Sequence, residues 1–187
     1  MGQDKALLPW RGRTFLQGHI EALRMYTDFV LVVAGSNASG LQPVVDASGA
    51  YLACNPEPER GQFSSLQVAL REVLNRGRDT AIVGLVDRPP AQLETIATLR
   101  RKFELSAPEI WAVVPECKGR HGHPFVAGRE MIESFLNAPA GSTARDVEHA
   151  RQQHILYVVV QDPNIVANIN TPEDYQQLAH DNTSGRT

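Results

Sequence analysis

Thr80-Ala-Ile-Val-Gly-Leu-Val86, followed by Asp87-Arg-Pro-Pro90 and then by the helical pattern Ala91 to Phe103, decides the fold of this chain. A short apolar run, closed by a proline-stiffened turn and continued as a helix, is a strand–turn–helix unit. Similar runs lie on either side. Phe29 to Ala34 and Ala50 to Cys54 precede it; Ile110 to Val114, a short Pro124 to Ala127 and Ile155 to Val160 follow. Most are continuously apolar rather than alternating, which is the pattern of strands covered on both faces. Helical stripes fill the gaps: Phe15 to Met25, weakened at Gly18, and Ser64 to Leu74, with a Ser-Ser start and a stop near Gly77. Thr171-Pro-Glu-Asp174 opens a last helix with a cap, a proline and two acids. The expected fold is α/β: a doubly wound, mostly parallel sheet with helices on both faces. Residues 1–180 form one domain, and the polar residues 181–187 a disordered tail.

Composition narrows the partners. A chain of 187 residues with net charge −3 is an ordinary globular size and lacks the basic excess of a nucleic-acid binder. No apolar run reaches the ~18 residues of a membrane span, and no secretory pattern is present, so the expected compartment is the cytoplasm. Cys54 and Cys117 have no zinc-ligand spacing and read as reduced core residues.

Open α/β sheets bind ligands beyond the carboxyl ends of their strands, so the chemistry is sought there. Asp87 follows the run ending at Val86. A carboxylate there suits Mg²⁺, which takes one or two carboxylates plus phosphate oxygens; an acid in a turn before a helix fits equally. Asn55 to Gly61 leads into the Ser64-Ser65 helix start, where backbone N–H groups and hydroxyls suit a phosphate or ribose, or simply a capped surface loop. Gly119-Arg-His-Gly-His-Pro124 clusters Arg120, His121 and His123: a phosphate site or a polar turn. Asn170 could add an oxygen to the same metal as Asp87, or only shape the turn before Thr171. Lys5 is the one lysine in the first hundred residues and by itself reads as a surface lysine.

In order along the chain, these pieces acquire a joint meaning. Met1-Gly-x-x-Lys5, Leu7-Leu-Pro-Trp10, Asn55-Pro, Gly61-Gln-Phe-Ser-Ser-Leu66, Asp87-x-Pro89, Gly122-His-Pro124 and Asn170-Thr-Pro-Glu-Asp-Tyr175 resemble the molybdopterin-nucleotidyltransferase-like NTP transferases. The similarity is to the molybdenum cofactor cytidylyltransferase branch. It implies a Rossmann-like fold of the nucleotide-diphospho-sugar transferase type. It also implies transfer of CMP from CTP to the terminal phosphate of a molybdopterin-type acceptor, with release of pyrophosphate. Lys5 would bind NTP phosphates and take part in catalysis. Asn55, Gly61, Gln62, Ser64 and Ser65 would face the nucleotide. Asp87 and Asn170 would hold Mg²⁺, and Arg120, Gly122 and His123 the acceptor. A molybdoenzyme would be a further partner. Alternatives are a guanylyltransferase, a sugar-phosphate nucleotidyltransferase, or a non-catalytic cofactor carrier. The family's opening Leu-Ala-Ala-Gly-x-Ser-x-Arg stretch has no counterpart, so the expectation is a chain lacking the first strand and the glycine-rich phosphate loop, with neighbouring strand edges exposed. Arg88 stands where the family more often has Gln, and Ser142 where it often has an acid.

Overall fold

A computed structural model describes residues 4–169, 171 and 173–176. It begins with a hairpin, β1 (Pro9–Trp10) and β2 (Arg13–Thr14), leading into α1 (Phe15–Arg24). Then come β3 (Leu31–Ala34), α2 (Ala38–Ala47), β4 (Tyr51–Cys54), α3 (Gln62–Asn75), β5 (Thr80–Val83) and α4 (Leu93–Glu104). The order ends with β6 (Ala112–Cys117), β7 (Arg120–His121), β8 (Phe125–Gly128), α5 (Arg129–Leu136), α6 (Ala144–Ala150) and β9 (Ile155–Val159). Thr171 starts the last turn with a reciprocal cap: Asp174 N–H donates to Thr171 Oγ1, and Thr171 N–H to the Asp174 carboxylate. Asn170 and residues 177–187, including the expected tail, lie outside the described residues.

The class is α/β, as expected. β3 pairs with β4 and β6 with β9 in parallel, whereas β8 lies antiparallel between β5 and β6. Alternation along the strands splits the core into two layers. Ala112, Val114, Phe125 and Ala127 meet α3 and α5 through Leu70, Met131, Ile132 and Phe135. Val113, Val126 and Val158 point the other way, onto Leu99 of α4. Both faces are therefore covered, which is why these strands read as unbroken apolar runs. α1 and α2 pack Leu16, Ile20, Leu41 and Val45 on Val30, just before β3, and on Ala34 at its end.

Several expectations change. The strand from Thr80 ends at Val83, not Val86, because its antiparallel partner β8 is only four residues long and the register closes at Val83–Phe125. α3 starts at Gln62, and Ser64 is not its cap: the Ser64 hydroxyl donates to the Gly61 carbonyl inside the first turn. Cys54 is exposed rather than core, since it ends an outer strand; Cys117 is buried, and both are free. α2 was not expected; Pro43 lies inside it, but its apolar face on β3 and β4 holds it. Gly18 has a packing reason: a Cβ there would sit 2.7 Å from Pro90 Cγ, so glycine lets α1 approach the turn after β5.

No ladder joins β3 to β5. A cavity of 2220 Å³ runs between them and touches every residue from Asp28 to Gly35 and from Asp79 to Arg88. Side chains of a strand alternate between faces, so a cavity meeting all of them follows the strand edges. At its amino end Arg78 pairs with Asp28 at 2.6 Å and lies over Phe29.

Candidate active site

The carboxyl ends of β5, β6 and β9 converge on the turn at Asp87. α1 and the segment after β9 fix that turn. His19 Nε2 donates to the Arg88 carbonyl at 2.9 Å, and the Ile169 N–H donates to the Asp87 carbonyl at 3.3 Å. The segment after β9 is itself anchored by Asp162, which is fully buried. Its carboxylate accepts from the Gln92 N–H, the Thr95 hydroxyl and the Asn164 N–H, tying the start of α4 to the end of β9. One consequence is that the residue preceding Asn170 is bonded to Asp87, although Asn170 itself lies outside the described residues.

Within this frame Asp87 Oδ1 is buried with no hydrogen-bond partner. Burying a carboxylate oxygen without a donor is costly, so the position suits a cation or a proton donor brought by a ligand. Among the described residues no cluster of three metal-ligating side chains forms. A single carboxylate oxygen of this kind would suit a hard cation that takes most of its oxygens from phosphate. Arg88 reaches over the turn and donates from Nη1 to the Ile165 carbonyl at 2.8 Å. Arg120, on exposed β7, donates to the next carbonyl, Val166, at 3.3 Å. Burial holds the Arg88 pKa below its ordinary value; Asp87 opposes that, and Arg120 adds to it.

Gly122 is wedged against the same segment. Its Cα hydrogen faces the Ile165 carbonyl, and a Cβ would lie 2.1 Å from that oxygen. The His123 N–H then donates to the Ile165 carbonyl; the residue is half-buried, and its Nδ1 is buried and unpartnered. Burial, reinforced by the Arg88 charge, lowers His123 to about 4, so the ring is neutral at pH 7. His19 is lowered in the same direction by burial.

The loop after β4 leads into a further part of the cavity wall. Asn55 is buried; its amide donates to the hydroxyls of Ser64 at 2.8 Å and Ser65 at 3.0 Å, and its oxygen accepts from the Glu57 N–H. Asn55 and Ser64 are thus engaged in shaping the loop. Gly61, Gln62, Ser64 and Ser65 line the cavity, as do Asp87, Arg88, Arg120 and His123. Lys5 does not line it. It sits in a short turn capped by Asp4, whose carboxylate also accepts from Asn37 just beyond β3. Of the residues expected to act together, the structure gathers the Gly61–Ser65 loop, Asp87 and the Arg120–His123 hairpin around one cavity, and leaves Lys5 at its margin. His19 and Asp162 were missed by sequence reasoning. A single histidine on a helical stripe carries no signal, but Asp162-Pro163 after an apolar run is readable as a turn start.

A family model described as a MobA-like NTP transferase domain matches residues 1–178. The chain belongs to that family. It is 27% identical to a molybdenum cofactor guanylyltransferase of Xanthomonas euvesicatoria pv. vesicatoria, covering 97% of this chain and 89% of the relative. It is 23% identical to the Escherichia coli molybdenum cofactor cytidylyltransferase, over 94% and 86% of the two chains. Among solved structures, Rv0371c of Mycobacterium tuberculosis superposes with a TM-score of 0.78 at 25% identity, over 96% and 90% of the chains. Among the described residues no helix is long and apolar enough to cross a membrane.

Proposed function

We propose that this chain transfers a nucleoside monophosphate, CMP from CTP in the first reading, to the terminal phosphate of a molybdopterin-type acceptor. The observation that carries the reading is the unpartnered, buried oxygen of Asp87, a residue on the wall of a cavity that the Gly61–Ser65 loop, Arg88, Arg120 and His123 also line. An oxygen of the acceptor phosphate attacks the α-phosphorus. The new O–P bond forms as the α–β bridge breaks, and pyrophosphate leaves with the electron pair. The protein supplies position and charge rather than a covalent nucleophile. Asp87 would hold Mg²⁺, with Asn170 as the second ligand. When bound, the ion neutralises the triphosphate. The exposed N–H groups at the start of α3 suit the nucleotide. Neutral His123 donates or accepts one hydrogen bond to the acceptor without adding charge. GTP is the second reading, favoured by the 27% identical guanylyltransferase.

The test is pyrophosphate release from the chain with molybdopterin-type acceptor and CTP, GTP or ATP. Turnover with CTP above GTP supports the first reading, and the reverse order the second. No release with any nucleotide removes the enzyme reading.

A further inference from the structure

We propose that Arg88 and Arg120 form a two-pronged subsite for a phosphate monoester dianion, placed beside Asp87 in the cavity that the Gly61–Ser65 loop also lines. The identity of the molecule carrying the phosphate rests on the nucleotidyltransferase reading; the existence of the subsite does not.

The two guanidinium groups come from different elements, one from the turn after β5 and one from the β7 hairpin. They anchor on consecutive carbonyls, Ile165 and Val166. The Asp162 carboxylate holds the turn that carries those carbonyls. Each arginine is therefore fixed at one corner of its fork by a neutral acceptor. A guanidinium has five N–H donors, and among the described residues neither arginine forms an ion pair. Arg88 Nε is buried and has no partner. Asp87, adjacent in sequence, keeps its own oxygen unpartnered and makes no ion pair with Arg88. Asp87 offsets part of the charge on Arg88, and the second guanidinium on the same cavity, with the donors left over on both arginines, still favours a bound anion. Two forks match the charge and the several oxygens of a phosphate dianion better than they match a carboxylate. This gives Arg88 a role for which glutamine, the commoner residue in the resemblance, would supply hydrogen bonds but no charge.

The experiment titrates inorganic phosphate into the intact chain, followed by calorimetry and ³¹P line broadening. It compares wild type, Arg88→Gln, Arg88→Lys and Arg120→Gln, with acetate as the competing anion. Losing a charge-assisted bond should weaken phosphate about tenfold or more in either glutamine variant. Arg88→Lys should recover part of the loss, since it restores charge without the fork. Phosphate affinity unchanged in Arg88→Gln, with a native melting curve, overturns the subsite, as does acetate binding as tightly as phosphate. If Arg88→Gln fails to fold, Arg120→Gln decides: this residue lies on an exposed hairpin, and unaltered phosphate binding there overturns the pair. The two readings separate cleanly. Arginine-dependent phosphate binding without pyrophosphate release would leave the subsite standing and remove the enzyme reading. Turnover with an unchanged acceptor KM in Arg88→Gln would do the reverse.

Discussion

The β3–β4 sheet and the five-stranded sheet, the two halves of the strand layer, are made of similar residues and braced differently. β6 has β8 on one side and β9 on the other, with helices over both faces, and Val113 is fully buried. β3 has only β4 beside it; its other edge borders the cavity, and Leu31, Val32 and Val33 remain half-buried. The side chains proposed to meet the acceptor and the metal hang from the braced half, through the turn after β5, the β7 hairpin and the segment after β9. The start of α3, proposed for the nucleotide, bridges the two: Phe63 packs on Phe135 of the braced half, while Asn55, just after β4, donates to Ser64 and Ser65. Position at the acceptor side is therefore set by a packed core. The nucleotide side depends on how two free strand edges are held apart.

The largest expected effect lies at Asp87. Asp87→Ala should lower pyrophosphate release on the order of a thousandfold, because the ion it would hold neutralises several phosphate charges. The melting temperature should hold or rise, since removing a buried oxygen that has no donor lifts a desolvation cost. A variant that loses activity only by unfolding would place Asp87 in the frame of the braced half and not in its chemistry.

Packing tests the contrast directly. Leu99→Ala, at a fully buried position on α4 against Val113 and Val126, should cost about 2–5 kcal/mol in denaturant unfolding. Leu31→Ala, at the cavity edge, should cost well under half of that, since there is no closed space to empty. Equal losses would mean that the two halves are braced alike in solution.

Much of this contrast was legible beforehand, and what was not has physical causes. The continuous apolar runs at 110–114 and 155–160 announced strands covered on both faces, and the ordered pieces around 61–66, 87–89 and 122–124 announced one site. Pairing direction was not legible: Phe125 to Gly128 reads the same whether it runs with β6 or against it. α2 was hidden by Pro43, where packing overrode local preference. The capping box of Thr143 and Asp146 that starts α6 is present in Ser142-Thr-Ala-Arg-Asp146, where only the missing acid at Ser142 drew notice. Asp162-Pro163 is readable as a turn start, but the burial of Asp162 is not, because it depends on Gln92, 70 residues away.

A third test uses pH. His123 is held at about 4 in the fold against 6.5 when unfolded, so the fold binds the neutral ring. The stability this contributes is full above pH 6.5 and is lost as pH falls towards 4, to a depth of ~3 kcal/mol. His19 shifts in the same sense, so the readout is the difference between wild type and His123→Gln in unfolding free energy from pH 7.5 to 4. The wild type should fall more steeply. Parallel curves would mean that His123 is solvated, and that the acceptor wall is as open as the nucleotide wall.

The smallest expected effect is at the amino end of the cavity, where Arg78 and Asp28 join the two halves. The contact looks important because it spans the gap, but Asp28 is 79% exposed and the pair sits in water. Exposed pairs contribute ~0–1 kcal/mol and are screened by salt. Asp28→Asn should therefore shift stability by less than ~1 kcal/mol at low ionic strength and by almost nothing at high salt. The stacking of Arg76 and Arg78 on Phe29 should keep the strand starts together without it. A loss of several kcal/mol that persists in salt would invert the comparison. The half-sheet of β3 and β4 would then be held in place by this clasp, and the free edges further along the cavity would depend on it.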